Sequence, residues 1–206
     1  GSASGKSTLA QRLAEQMDCN VFHMDDFFLQ PHQRTKERFL EPGGNVDRER
    51  FLAEVLQPLK AGGAFGYRVF DCSQMALGET VCVEAKKINI VEGAYSMHPE
   101  LRDAYDISAF VSVDPALQAE RILHRNGAKM QQRFLNEWIP LEKAYFEACG
   151  VKRSPAVMLA DGGEYFTTSK EGVFAAGDAR RGSGIVAWAF TEGRNAAMKC
   201  AEYLRR

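Results

Sequence analysis

Apolar residues return at Leu9, Leu13 and Met17, a four-residue spacing that places them on one face of a helix over residues 7–18. Residues 20–24 are short and apolar and read as a buried strand. Residues 30–45 are polar, carry Pro31, Pro42 and the Gly43-Gly44 pair, and read as loop. Asp47 can cap a helix running to about residue 60, with Phe51, Leu52, Val55, Leu56 and Leu59 turned inward. Residues 61–66 are glycine-rich punctuation. Three strand signals follow: 80–84 by alternation, 87–91 ending at Glu92-Gly93, and 107–113 as the clearest. Asp114 and Pro115 then form the N-cap and first position of a helix that Asn126-Gly127 stops. Residues 128–148 are helical again, with Phe134, Leu135, Trp138, Leu141 and Tyr145 apolar and a kink expected at Pro140.

Strands alternating with helices predict a mostly parallel α/β sheet, and ligands of such sheets lie at the carboxyl ends of the strands. Asp25 and Glu92 each stand just after a strand, which makes both candidates on position alone. After Gly150 the texture changes. Residues 151–155 read as a linker, 157–160 as a strand, 172–176 as another strand ending at Gly177-Asp178, and 185–206 as a long helix. The expected division is residues 1–149 and 150–206.

The 206 residues suffice for one full domain and a short addition. Lys+Arg total 26 against Asp+Glu 27, so no broad nucleic-acid face is indicated and any anion site must be local. Cys19, Cys72, Cys82, Cys149 and Cys200 are odd in number and none pair as C-x-x-C, which favours buried thiols in a reducing cytoplasm over disulfides or zinc. No apolar run approaches the ~20 residues of a membrane helix, and the opening residues lack the pattern of a secretory leader. A small-molecule substrate is expected, without nucleic acid or membrane, and an oligomer is left open.

The chain opens G-S-A-S-G-K-S-T. Gly5, Lys6 and Ser7 fill the last three fixed places of the pattern G-x-x-x-x-G-K-[ST], whose first glycine would fall one residue before Gly1. Small residues at Gly1, Ser2, Ala3, Ser4 and Gly5 let backbone N–H groups approach phosphate oxygens, and the following helix points its positive end at them. Lys6 supplies a cation for the β- and γ-phosphates, the Ser7 hydroxyl a ligand for Mg2+, and Thr8 completes the motif. ATP and Mg2+ are the cofactors this predicts.

From H-M-D-D-F-F (residues 23–28) onward the chain resembles the uridine kinase and phosphoribulokinase group. E-P-G-G-N-V-D-R-E-R-F, I-V-E-G-A-Y-S, R-I-L-H-R-N-G and E-W-I-P-L-E-K-A-Y-F follow in the expected order to about residue 148. The resemblance implies a three-layer P-loop NTPase fold, lacking its first strand, and ATP-dependent phosphorylation of a nucleoside or similar polyol. It implies Asp25 as the general base or orienting carboxylate beside the acceptor hydroxyl, with Asp26 the weaker candidate. It implies Glu92 on Mg2+-bound water, with an ordinary strand-end carboxylate as the alternative. Arg121 and Arg125, four apart on one helical face, match the family's lid arginines; a solvated basic face is the alternative. Asp47, Tyr67 and Asp71 resemble acceptor contacts, although Asp47 reads equally as a helix cap. His23 reads as a packed strand histidine.

The stretch T-S-K-E-G-V-F-A-A-G-D-A-R-R-G-S-G-I-V-A-W-A-F-T-E-G-R-N-A-A is similar to the end of the FAD domain of glutamate-synthase small-subunit-type oxidoreductases. That resemblance implies Gly177 and Asp178 as a vestigial flavin contact. The chain has no early G-x-G-x-x-G for a dinucleotide pyrophosphate, so FAD stands only as a weak alternative. A flavin-dependent oxidoreductase fragment and a chimeric chain that only binds ATP are the other readings left open.

Overall fold

In this computed structural model, residues 1–153 and 157–159 are described, together with 176, 193, 196–198, 200, 201, 204 and 205. In chain order the elements are α1 (Lys6–Gln16), β1 (Cys19–His23), α2 (Lys36–Leu40), α3 (Arg48–Phe51), α4 (Gln57–Ala61), β2 (Ala64–Asp71), β3 (Ala76–Glu84) and β4 (Ile88–Glu92). There follow α5 (Pro99–Arg102), β5 (Ala109–Val111), α6 (Pro115–Arg133), α7 (Ile139–Ala148) and β6 (Val157–Leu159). Two compact units divide them, one of residues 6–106 and 141–151, the other of residues 1–5, 107–140 and 152–206.

In the first unit β1 and β4 pair in parallel, register running from Cys19↔Ile88 to His23↔Glu92. The helix α1 packs on both strands. A short 3-10 turn (Met24–Phe27) continues directly from β1. Met24 and Phe27 are fully buried there. The Phe27 ring meets Phe51 edge-on at 4.9 Å and stacks on Tyr67 at 5.5 Å, and the Arg50 guanidinium lies 4.3 Å from its centroid. Arg50 also donates to the carbonyls of Asp26 (3.2 Å) and Arg68 (2.6 Å). An aromatic core and one arginine therefore hold the turn that carries Asp25.

The strand β2 was not legible as a strand. It forms an antiparallel hairpin with β3, and a register shift between Arg68 and Phe70 marks a bulge. Tyr67 and Phe70 are both buried, so the bulge breaks the two-residue alternation that identifies strands. The polar stretch expected to be loop also holds α2. Thr35 caps it by accepting from Arg38 N–H at 3.1 Å. Five residues without apolar periodicity give no sequence signal for such a helix.

The helix expected over 47–60 is present, but it includes a π-helical turn (Leu52–Leu56) between α3 and α4. A second π turn (Phe134–Trp138) lies between α6 and α7. In each, a proline follows two residues after the turn, Pro58 and Pro140. Gln57 N–H bonds the Leu52 carbonyl, and Ile139 N–H bonds the Phe134 carbonyl. Proline has no N–H and its ring crowds the carbonyl four residues back; widening the preceding turn relieves both. The expected kink at Pro140 thus takes the form of an inserted residue. The insertion rotates the helical face. Leu141, one of the apolar residues of this stretch, is 46% exposed, whereas Glu142 is 4% exposed and Tyr145 fully buried. Leu135, another of them, is also exposed.

In the second unit β5 and β6 pair in parallel, Ala109↔Val157 to Val111↔Leu159. The Asp114 side chain caps α6, accepting from Ala116 and Leu117 N–H at 2.8 and 3.2 Å. Gly127 takes non-helical angles (φ 77°, ψ 167°), the break expected at Asn126-Gly127. Of the long C-terminal helix expected over 185–206, positions 193, 196–198, 200, 201 and 204 are helical; the strand expected at 172–176 and the Gly177-Asp178 pair lie outside the described residues. The cysteines are unbridged as expected but not buried: Cys72 and Cys82 are exposed, and Cys19, Cys149 and Cys200 half-buried. Among the described residues no helix is long and apolar enough to cross a membrane.

One glycine ties the two strand ends together. Gly93, with φ 154°, presses on Met24, and a Cβ there would fall inside the van der Waals envelope of the Met24 Cβ and crowd its backbone. Gly93→Ala is expected to lower stability by about 1–3 kcal/mol, read from urea unfolding. An unchanged midpoint would show that β4 and the Asp25 turn are not held in this contact.

Candidate active site

The loop before α1 is built for close backbone approach. Ala3 has φ 54° and Gly5 φ 90°, left-handed conformations that glycine adopts freely and alanine only when held. Three successive carbonyl oxygens are held by protein donors. Gly1 accepts from the Ser4 hydroxyl at 2.8 Å, Ser2 from the Gln118 amide at 2.6 Å and Ala3 from the Arg121 guanidinium at 3.2 Å. These bonds fix the peptide planes of the loop. A Cβ added at Gly5 would meet no atom within 4 Å, so the space beside it is open. Arg121 thus contacts the loop backbone through α6. Arg125, by contrast, donates to the Asn126 side chain at 2.7 Å and lies 5.8 Å from the Phe134 ring centroid.

In the other unit the chemistry gathers at the carboxyl ends of β1 and β4. Lys6 Nζ stands 4.0 Å from Glu92 Oε2. Glu92 Oε1 accepts from His23 Nδ1 at 2.6 Å. Glu92 Oε2 is buried and has no hydrogen-bond partner. Asp25 follows in the 3-10 turn. Although part of the residue reaches solvent, desolvation of its carboxyl by the surrounding protein raises the pKa above the ordinary 3.8; Lys6 opposes this rise, Glu92 and Glu142 add to it, and His23 opposes it. Asp26 is raised as well, mainly by burial. The Ser7 side chain is exposed on the first turn of α1, as is that of Thr8.

Among the described residues no group of three or more His, Cys, Asp or Glu side chains could hold a metal by itself. A magnesium ion that keeps several waters and shares its remaining sites with phosphate oxygens needs no such cage. The unpartnered Glu92 oxygen beside Lys6 fits that requirement.

The three residues expected to contact the acceptor have different surroundings. Asp47 is 2% exposed and caps α3, accepting from Arg50 N–H at 3.0 Å and from the Gln33 amide at 2.8 Å. Its capping role is therefore what the geometry displays. Tyr67 is buried in the aromatic core. Its phenol pKa is raised by burial and by Asp26. Asp71 sits at the hairpin turn, where it accepts from Ser73 N–H, the Ser73 hydroxyl and Gln74 N–H at 2.7, 2.6 and 3.3 Å, which lowers its pKa.

Sequence reasoning did not single out Tyr95 and Glu142. Tyr95 is 7% exposed, and its phenol pKa is raised strongly by burial and further by Glu142 and Asp25. These two polar groups therefore lie within electrostatic reach of Asp25. The π turn concealed Glu142, because an uninterrupted helix would have turned Leu141 inward in its place.

No family model matches the chain. A pantothenate kinase from Enterococcus faecalis is 30% identical over 185 residues, 77% of this chain and 56% of that protein. The small chain of NADPH-dependent glutamate synthase from Bacillus subtilis is 41% identical over 63 residues, 31% of this chain and 13% of that protein. The chain thus spans little more than half, or less, of the curated relatives it matches. A solved structure described as a possible uridine kinase from Bacillus stearothermophilus superposes with a TM-score of 0.59 at 22% identity, covering 76% of this chain and 83% of the other. A structure described as a fructose transport system kinase from Silicibacter sp. TM1040 gives 0.52 at 22%, covering 71% and 80%. The chain has the α/β fold of the uridine-kinase-like P-loop kinases, as its motifs implied.

The raised pKa of Asp25 has a stability consequence. A carboxyl held above its unfolded value stabilises the fold fully below that value, and the contribution is lost as pH rises through the folded pKa. Asp25→Asn, which removes the charge, is expected to raise Tm at about pH 7, with the difference narrowing as pH falls toward the ordinary value of 3.8. A lower Tm for the Asn variant at neutral pH would contradict this environment.

Proposed function

We propose that the chain transfers the γ-phosphoryl group of ATP, bound with Mg2+, to a hydroxyl of a nucleoside or similar small polyol. The observation that carries the reading is the convergence of Lys6, Glu92 and Asp25 at the carboxyl ends of adjacent parallel strands. Phosphoryl transfer asks for little covalent chemistry from a protein; position and charge neutralisation dominate. Residues 1–5 would lie along the phosphates, Lys6 would pair with the β- and γ-phosphates, and Ser7 and Glu92 would hold Mg2+ directly and through its water. Mg2+ supplies neutralisation of charge on the phosphate oxygens. Asp25 accepts or orients the proton of the acceptor hydroxyl, and a raised pKa makes it a stronger base for that task. Arg121 and Arg125 would stabilise charge on the transferring group. Asp47, Tyr67 and Asp71 remain candidates for the acceptor side.

The relatives widen the range of acceptors. Their descriptions include uridine, fructose-transport and pantothenate kinases, and all three small molecules carry a primary hydroxyl. A panel of uridine and other nucleosides, fructose and pantothenate, incubated with the chain and ATP·Mg2+, tests the reading by transfer of the labelled γ-phosphoryl group. Asp25→Asn is expected to lower kcat by about 10²–10⁴-fold with nucleotide binding retained. Lys6→Ala is expected to weaken nucleotide binding as well. Absence of transfer to every acceptor by the unsubstituted chain would overturn the proposal.

The similarity to the glutamate synthase small chain favours a second reading, a flavin-binding piece of an oxidoreductase that uses Gly177 and Asp178. A visible flavin absorbance band retained by the purified chain after incubation with FAD would support it. A chain that binds ATP and neither transfers phosphate nor takes flavin corresponds to the chimeric reading.

A further inference from the structure

His23 was expected to be a packed strand histidine, and it is not: its side chain is 46% exposed, at the last position of β1. It stands opposite Glu92 in the parallel register, so both side chains leave neighbouring strands at the same level. The contact between them is 2.6 Å, Nδ1 to Oε1. An ionised carboxylate only accepts, so the imidazole nitrogen donates. This contact divides the two oxygens of Glu92. Oε1 is held by His23, while Oε2 is left buried, without a hydrogen-bond partner and 4.0 Å from Lys6 Nζ.

A free glutamate carboxylate rotates about its last bond and would share its oxygens between Lys6 and water. With one oxygen fixed by a short bond from the adjacent strand, the plane of the carboxylate is fixed and the second oxygen has a single direction. We infer that His23 is a positioning residue: it aims Glu92 Oε2 at the water shell of the nucleotide-bound magnesium ion, and so sets how much Mg2+ adds to nucleotide affinity. This rests on the proposed function, because it presupposes that Glu92 serves Mg2+. Partners that orient metal-serving groups typically contribute about 10–100-fold to metal affinity.

The test compares His23→Ala with His23→Asn, whose side-chain amide nitrogen occupies about the position of Nδ1 and can still donate to Glu92. Binding of a non-hydrolysable ATP analogue is measured by calorimetry with Mg2+ and with EDTA, and Tm is recorded for each variant. His23→Ala is expected to reduce the Mg2+-dependent gain in affinity by about tenfold or more, with affinity in EDTA unchanged. His23→Asn is expected to restore most of the gain. A gain that survives in His23→Ala would overturn the inference and leave the kinase proposal standing. Equal weakening with and without Mg2+, or no restoration by Asn at a wild-type Tm, would reduce His23 to a structural contact and overturn it as well. Failure of the unsubstituted chain to bind the analogue at all would remove the kinase proposal and this inference together.

Discussion

The structure around the site depends on holding several carboxylates near one cation. The parallel register of β1 and β4 brings the end of one strand level with the end of the other, and Gly93 lets Met24 close against β4. Glu92 and the buried Glu142 both act to raise the pKa of Asp25, and Asp25 and Glu92 that of Asp26. Lys6 and His23 oppose the rise at Asp25. Desolvation of the two aspartates disfavours their charged forms, the neighbouring carboxylates add to it, and both pKa values are raised in consequence. The arrangement is tolerated because the aromatic packing of Phe27 against Phe51 and Tyr67, with Arg50 against the ring, fixes the turn from the other side.

Much of this was legible in the sequence because its signals are local. The helix after G-K-S-T, the strand before H-M-D-D and the strand ending at Glu92 each follow from short-range periodicity and a terminating residue. The rule that ligands lie at strand carboxyl ends then singled out Asp25 and Glu92 without their being close in sequence. What stayed hidden depended on irregularity. The bulge between Arg68 and Phe70 concealed β2. The π turn before Pro140 exchanged Leu141 for Glu142 on the inward face, and so hid a buried acid near Asp25. His23 was misjudged for a different reason: whether a strand-end histidine packs or bonds is decided by its neighbour in the sheet, and sequence spacing does not reveal that neighbour.

The two π turns illustrate how one chemical constraint acts twice. Pro58 and Pro140 each deprive a helix of one N–H, and in both cases the residue before the proline bonds five positions back instead of four. Deletion of the proline need not restore a simple helix, because the packing on either side is already set to the shifted face. Tyr145 and Glu142 are buried on that face, and Tyr145 packs against Tyr95 at 5.0 Å between ring centroids. The proline therefore acts on the surroundings of Asp25 through helix register, at a distance from any chemistry of its own.

The acidity of the site also bears on the form of nucleotide it can accept. Asp25 and Glu92 surround Lys6 with more negative than positive charge, and a free polyphosphate brought among them would be repelled at short range. The same carboxylates favour a polyphosphate whose charge a divalent cation already offsets, since they attract the cation as strongly as they repel the phosphate oxygens. Lys6 alone cannot reverse the balance, because Glu92 already lies 4.0 Å from its ammonium group. On the proposed function, discrimination between free and magnesium-bound ATP follows from this surplus of carboxylates. The orientation of Glu92 then bears on how much of that discrimination is realised, because the bond from His23 fixes one oxygen and leaves Oε2, 4.0 Å from Lys6, without a hydrogen bond and open to the metal's water.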